Sequence, residues 1–127
     1  YWNPLHEVDE EQSVMPALQA YGPRAVVDPL LRRTVVEHQA LDELRDSVGR
    51  VWSELAEEPR RLAELRDPLR SLTRSLTRTL AVHFAWEEQA VFPEVTRFVP
   101  PEVQARILRV MRARRAVDTA EPRAARA

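Results

Sequence analysis

The chain has 127 residues, of which 44% are hydrophobic and 31% are charged, so it fits one globular domain better than a disordered segment. Its 19 basic and 20 acidic residues give a formal charge of -1, which removes the strong positive field that a nucleic acid or an anionic membrane would require. Cysteine is absent, which excludes disulfides, iron–sulfur clusters and thiolate catalysis and leaves histidines and carboxylates to hold any metal.

No apolar run approaches the roughly 20 residues that a membrane helix requires, and the first residues lack the basic and apolar parts of a secretory signal. These features predict a cytoplasmic protein. The chain begins with Tyr1 and not with methionine, so we expect the natural protein to extend further upstream.

The distribution of glycine and proline predicts an all-helical chain. Only Gly22 and Gly49 are glycines, and no segment sustains the alternation of a strand. The first helix is expected to run from about residue 4 to residue 21, and Pro16 should kink or end it.

Two further helices are predicted to begin where an aspartate precedes a proline. Asp28-Pro29 and Asp67-Pro68 each offer a side-chain oxygen as N-cap and a proline at the first helical position. The second helix then extends from about residue 29 to residue 49 or beyond, and the third from about residue 68 to residue 93.

A fourth helix is predicted to begin at Pro101 and to fade after Arg115, and residues 118–127 hold too little apolar surface to pack. We therefore assign residues 1–117 to one helical domain and residues 118–127 to a flexible tail. Apolar stripes recur at helical spacing, namely Leu31, Thr34, Leu41, Val48 and Trp52 in the second helix and Leu69, Leu72, Leu76 and Leu80 in the third. Short connections favour antiparallel neighbours, so these stripes predict an up-down four-helix bundle.

Residues 6–16 and residues 83–93 are two copies of one motif. They read HEVDEEQSVMP and HFAWEEQAVFP, and six of their eleven positions are identical, among them the first His, the Glu four residues later and the final Pro. A single His-x-x-x-Glu is common as a solvated pair on a surface helix. Two copies with the same flanks indicate a functional site.

The spacing of four places His6 and Glu10, and likewise His83 and Glu87, one turn apart on one helix face, about 40° around the axis. The second copy also continues the apolar stripe that ends at Leu80, which predicts that Glu87 lies in the core. Burying an ionised carboxylate without a partner costs on the order of several kcal/mol, so this pattern favours a bound cation.

His38 is the third and last histidine, and it lies on the apolar stripe of the second helix. A single inward His is more often a core residue than a ligand, but three histidines on three inward faces favour a shared site. Asp42, one turn later at the edge of the stripe, is a further ligand, an orienting group or a solvated acid. Glu11 and Glu88 are rotated about 100° further, which suits hydrogen bonding to a ligand or contact with solvent.

Imidazole and carboxylate ligands without sulfur suit iron or manganese, with zinc as a further option. Three His and two Glu exceed what one tetrahedral zinc would use, and two Glu from opposed helices can each bridge a pair of ions. The sequence therefore predicts a two-metal centre with five protein ligands, which are His6, Glu10, His38, His83 and Glu87.

These motifs resemble the hemerythrin-like family, also called the HHE cation-binding domain, over roughly residues 1 to 95. The family folds as a four-helix bundle, and residues 6–16, 35–41 and 83–93 are similar to its second, third and fourth helices. Carried over by position, the resemblance implies terminal imidazoles from His6, His38 and His83 and bridging carboxylates from Glu10 and Glu87. The ferritin-like order is disfavoured because no Glu stands three residues before a His.

The chain departs from the family pattern in three places. The first helix and its His have no counterpart, so the predicted site is one ligand short. Asp42 stands where oxygen carriers of the family have a second His on the third helix, which weakens an assignment as an oxygen carrier. The helix at residues 101–115 is additional, and the sequence leaves open whether it fills the vacant position or packs outside a complete bundle.

The resemblance implies a non-haem di-iron or di-manganese protein that binds or senses oxygen, a related oxidant or iron. Its expected cofactor is two iron ions, with manganese or zinc as alternatives, joined by an oxo, hydroxo or water bridge. Two alternatives stay open: an oxidase or peroxidase with the same ligands, and a metal-free interaction module that uses the arginine face of the last helix. The expected partner is a small molecule such as dioxygen or peroxide, and homodimer formation is left open.

Overall fold

The computed structural model of the protein describes residues 4–120. Within this range every residue is helical except Gly22, Pro23, Glu58, Val99 and Pro100. The predicted all-helical class is thus confirmed for the described residues. None of their helices is both long and apolar enough to cross a membrane.

The described residues form four helices, two of which contain a π-helical turn. Helix α1 consists of Pro4–Asp9, a π-helical turn at Glu10–Val14 and Met15–Tyr21, and helix α2 is Arg24–Glu57. A short 3-10 turn at Pro59–Arg61 leads to helix α3, which consists of Leu62–Trp86, a π-helical turn at Glu87–Val91 and Phe92–Phe98. Helix α4 is Pro101–Ala120, so it continues past the predicted end at Arg115, and residues 121–127 of the predicted tail lie outside the described residues.

The predicted starts of α2 and α3 are wrong, because both helices begin one to two turns earlier. Pro29 and Pro68 lie inside the helices, near their N-terminal ends, and not at the first helical position. A proline near a helix start removes only one backbone hydrogen bond, so the chain tolerates it there. Helix α2 begins instead at the Pro23 carbonyl, which accepts hydrogen bonds from the backbone N–H groups of Val26 and Val27, each 2.9 Å long.

Pro16 does not end α1. The turn that precedes it is π-helical and not a regular α-helical turn. The Met15 N–H donates to the carbonyl of Glu10, five residues back. This wider turn contains one more residue than an α-helical turn. It therefore accommodates Pro16, which has no N–H to donate and whose ring would clash with the carbonyl four residues back in a regular α-helix. Pro93 follows the second π-helical turn in the same way.

The chain divides into two compact units by its backbone contacts. We call Tyr1–Pro29 with Val91–Ala127 the terminal unit and Leu30–Ala90 the hairpin unit. In the terminal unit, α1 packs against Phe92–Phe98 and against α4. The apolar side chains buried there are Val14, Ala17, Leu18, Val27, Val91, Val99 and Val103.

In the hairpin unit, α2 and α3 run antiparallel. The Arg33 guanidinium stacks 3.7 Å from the ring centre of Trp86 at one end, and Arg61 Nη1 meets Glu54 Oε2 at 3.1 Å at the other. The first part of the predicted stripe is buried, at Leu31, Thr34 and Leu41. Further along, Val48 and the leucines from Leu69 to Leu80 are half-buried, and Trp52 is 55% exposed.

Candidate metal centre

The first motif lies on α1 in the terminal unit, with its His and Glu on one helix face. His6 Nε2 is 3.5 Å from Glu10 Oε1, and the side chains are 26% and 5% exposed, respectively. The spacing of four therefore brings imidazole and carboxylate together as predicted. Glu11, the neighbouring acid, is exposed, which agrees with its predicted contact with solvent.

Glu10 is also the first residue of the π-helical turn of α1. Such turns are rare in proteins and often occur at functional sites, because the inserted residue changes the direction in which side chains project. Within this turn Glu10 is buried, whereas Glu11 and Gln12 are exposed.

The second motif lies in the hairpin unit, and its two residues are almost completely buried. His83 Nε2 is 2.7 Å from Glu87 Oε1, and both side chains are 1% exposed. Glu87 is the first residue of the π-helical turn in α3, as Glu10 is in α1. Both copies of the motif thus combine a buried Glu, a His one turn earlier and a π-helical turn before proline.

His83 is oriented by a carboxylate that the sequence analysis did not single out. Its Nδ1 lies 3.0 Å from Glu37 Oε2, and the other oxygen of Glu37 accepts a 2.7 Å hydrogen bond from Arg33 Nε. An imidazole that carries a proton on Nδ1 donates it to Glu37, and its Nε2 faces Glu87. Histidines that bind metals typically use one nitrogen for a carboxylate and the other for the ion.

The surroundings of His83 raise the pKa of its imidazole above the ordinary value of 6.5. Burial opposes the charged form and by itself lowers the pKa, but hydrogen bonding to Glu87 and Glu37 outweighs burial. Without a metal, the site thus favours a proton on His83, and a cation would compete with that proton.

His38 lies beside His83 in the hairpin unit. It is 3% exposed, and the two imidazole rings meet edge to face with their centres 4.9 Å apart. The prediction that His38 and the second motif share an inward location is thus met within this unit. Asp42 instead forms an ion pair with Arg45, with 2.7 Å between Asp42 Oδ1 and Arg45 Nη2, and its side chain is 47% exposed.

Asp9 is a second functional candidate that the sequence analysis missed. Its side chain is completely buried, and its two oxygens meet Arg114 Nη1 at 2.8 Å and Arg115 Nη2 at 3.2 Å. The partners are 105 and 106 residues away, so no local spacing connects them. The only signal was the arginine face of the last helix, which we assigned to the alternative of an interaction module.

Each motif offers donors that suit a divalent cation. These are an imidazole nitrogen and a carboxylate oxygen, and the Glu four residues after the His, Glu10 or Glu87, is buried in both motifs. Comparison of the chain with protein-family models, with curated proteins and with solved structures finds no match.

Proposed function

We propose that the protein is a non-haem metal protein of hemerythrin-like type, in which His and Glu side chains from a helical bundle hold two iron or manganese ions. The observation that supports this most strongly is the repetition of one local arrangement. In each copy a Glu that is 5% exposed or less begins a π-helical turn, one turn after a His. Such agreement in two separate helices is expected of paired ligands.

The burial of acids in both motifs supports a cation on energetic grounds. Glu10 and Glu87 are 4% and 1% exposed, and an ionised carboxylate at such depth must be compensated by positive charge. An imidazole supplies that charge only while it is protonated. A divalent ion supplies the charge in place of that proton, which leaves the imidazole free to act as a ligand.

In this proposal the two motifs act on one centre. The resemblance to the hemerythrin-like family implies five ligands for it, which are His6, Glu10, His38, His83 and Glu87. The two carboxylates would be shared by the ions, and the three imidazoles would be terminal ligands. The binding or sensing of oxygen, of a related oxidant or of iron rests on the resemblance to the hemerythrin-like family.

Metal analysis of the purified protein tests this proposal. We expect about two equivalents of iron or manganese per chain after metal-replete expression, with an absorption spectrum that changes when oxygen is admitted. Less than one equivalent would contradict the proposal.

The repeat provides a matched control for the ligands. Glu10 and Glu87 each have an exposed neighbour, Glu11 and Glu88, with the same side chain one residue later. We expect Glu10→Gln and Glu87→Gln to lower the bound metal to about half or less, because each removes a bridging ligand. Glu11→Gln and Glu88→Gln should retain it. Equal loss in both pairs would indicate adventitious binding to surface acids.

A further inference from the structure

The arginines near the end of α4 hold a buried acid of α1. Asp9 is 0% exposed, and Arg114 and Arg115 each contact a different one of its oxygens. Arg114 Nη1 also donates to Ser13 Oγ at 3.3 Å. Such charge-assisted hydrogen bonds to both oxygens of a carboxylate fix its orientation and not only its charge.

These contacts surround the π-helical turn of the first motif. Asp9 immediately precedes Glu10, where the turn begins, and Ser13 lies within the turn, which ends at Val14. Arg114 therefore contacts the chain on both sides of the proposed ligand. A guanidinium is rigid and planar, so these contacts restrict the turn more than a flexible lysine would.

The second motif is held by a different element. In the alignment of the two copies, Trp86 occupies the position of Asp9, and the guanidinium that covers Trp86 comes from Arg33 on α2. A change in α4 should thus affect one motif and spare the other.

We propose that Arg114 and Arg115 are positioning residues for Glu10, so that the contribution of Glu10 to metal affinity depends on α4. This inference rests on the proposed function. It also gives the basic end of α4 a specific role, which the remaining arginines of its exposed face do not share.

Two double variants test the inference, one at the arginines that contact Asp9 and one at exposed arginines of the same helix. Arg114→Gln with Arg115→Gln removes the contacts to Asp9, and Arg109→Gln with Arg112→Gln removes the same charge from exposed positions on the same helix. Stepwise Mn²⁺ titration of the metal-free full chain measures the affinity of each equivalent. We expect the first double variant to bind Mn²⁺ at least tenfold more weakly than the wild type and the control to match the wild type.

A second measurement does not depend on metal. Amide hydrogen exchange of the metal-free chain should show faster exchange in residues 10–15 of the first double variant, with unchanged exchange in residues 87–92. Arg115→Lys, which retains the charge, should recover part of both effects. If the first double variant loses helical circular dichroism, the single variant Arg115→Gln takes its place, since it keeps the shorter contact of Arg114.

The outcomes separate the two proposals. A wild type that binds no Mn²⁺ or iron contradicts the proposed function, while the exchange measurement still tests the contacts of α4. A first double variant that binds both ions like the wild type and exchanges at the same rate overturns the inference. Faster exchange in both π-helical turns also overturns it, because the effect would then be global.

Discussion

The orientation of His83 depends on two carboxylates that lie on different helices. Glu87 is four residues later on α3 and contacts Nε2, whereas Glu37 is on α2 and contacts Nδ1. The second contact joins residues that are 46 positions apart in the chain. Sequence spacing predicts the first partner from helix geometry, but it contains no information about the second.

Glu37→Gln should weaken metal binding while it leaves the fold intact. The amide keeps an acceptor for Nδ1–H but loses the negative charge that favours one tautomer and strengthens the imidazole as a ligand. Loss of such an outer carboxylate typically costs about 10- to 100-fold in metal affinity. Competition with a chromophoric chelator measures the effect, and Glu43→Gln, an exposed acid on the same helix, is the control. Equal affinities in both variants would contradict this role.

The protonation of His83 predicts how the stability of the metal-free protein depends on pH. Its folded-state pKa is raised above the unfolded value of 6.5, so the stabilisation is complete below about that pH and is lost as the pH rises through the folded pKa. Urea unfolding of the wild type and of His83→Gln should therefore differ most in mildly acidic solution. If the difference in unfolding free energy between the wild type and His83→Gln instead grows between about pH 6 and about pH 8, the prediction is wrong.

The exposure of the residues in each motif also shows what sequence can predict. The burial of Glu87 follows from its place on an apolar stripe, and the exposure of Glu88 follows from its rotation by one residue. Asp9 belongs to the acidic run Asp9-Glu10-Glu11, in which nothing local distinguishes the completely buried member. Its burial is set by arginines more than 100 positions away.

At the level of helices, the prolines have two different effects. Pro29 and Pro68 are tolerated within the first turns of regular helices, whereas Pro16 and Pro93 follow π-helical turns. The sequence identifies every proline but not how far upstream each helix begins. The recurrence of proline ten residues after each motif His was the only sequence signal of the two π-helical turns.

Pro93→Ala should allow the turn at Glu87–Val91 to relax into regular α-helix. An alanine restores the missing N–H and removes the ring that requires a wider turn. Helical circular dichroism should stay constant or rise, while bound metal should fall because Glu87 is no longer fixed at the start of the turn. Pro68→Ala is the control, since Pro68 is in the same helix without a π-helical turn. Equal metal contents in the Pro93→Ala and Pro68→Ala variants would show that metal binding does not depend on the π-helical turn.

The two glycines should respond oppositely to alanine. A Cβ at Gly22 would collide with the Val27 side chain and lie 3.0 Å from the Leu18 carbonyl, whereas a Cβ at Gly49 meets nothing within 4 Å. We expect Gly22→Ala to destabilise the fold by about 1–3 kcal/mol through steric overlap. Gly49→Ala should stabilise it by about 0.5–1 kcal/mol because Gly49 lies inside α2. Urea denaturation measures both changes in the free energy of unfolding. Two changes of the same sign would contradict the packing described at the turn between α1 and α2.

For the molecule as a whole, metal binding and folding should be linked. An ion that binds only the folded chain stabilises it by about 4 kcal/mol when its free concentration is a thousandfold above Kd. For a chain of 127 residues this corresponds to a rise of roughly 15 °C in Tm. A chelator should reverse the rise in the wild type and leave the Tm of His83→Ala unchanged. A chelator-insensitive wild type would show that the folded state does not require the ion.

The position of Trp86 gives the second motif a natural optical probe. Its indole is adjacent in sequence to Glu87 and stacks on Arg33, whereas Trp52 is largely in contact with solvent. In a background with Trp2→Phe and Trp52→Phe, Trp86 is the remaining tryptophan. Its emission should report on the neighbouring carboxylate, and a paramagnetic ion there should quench it. The arrival of a metal can then be followed by fluorescence, without a dye and on the timescale of mixing.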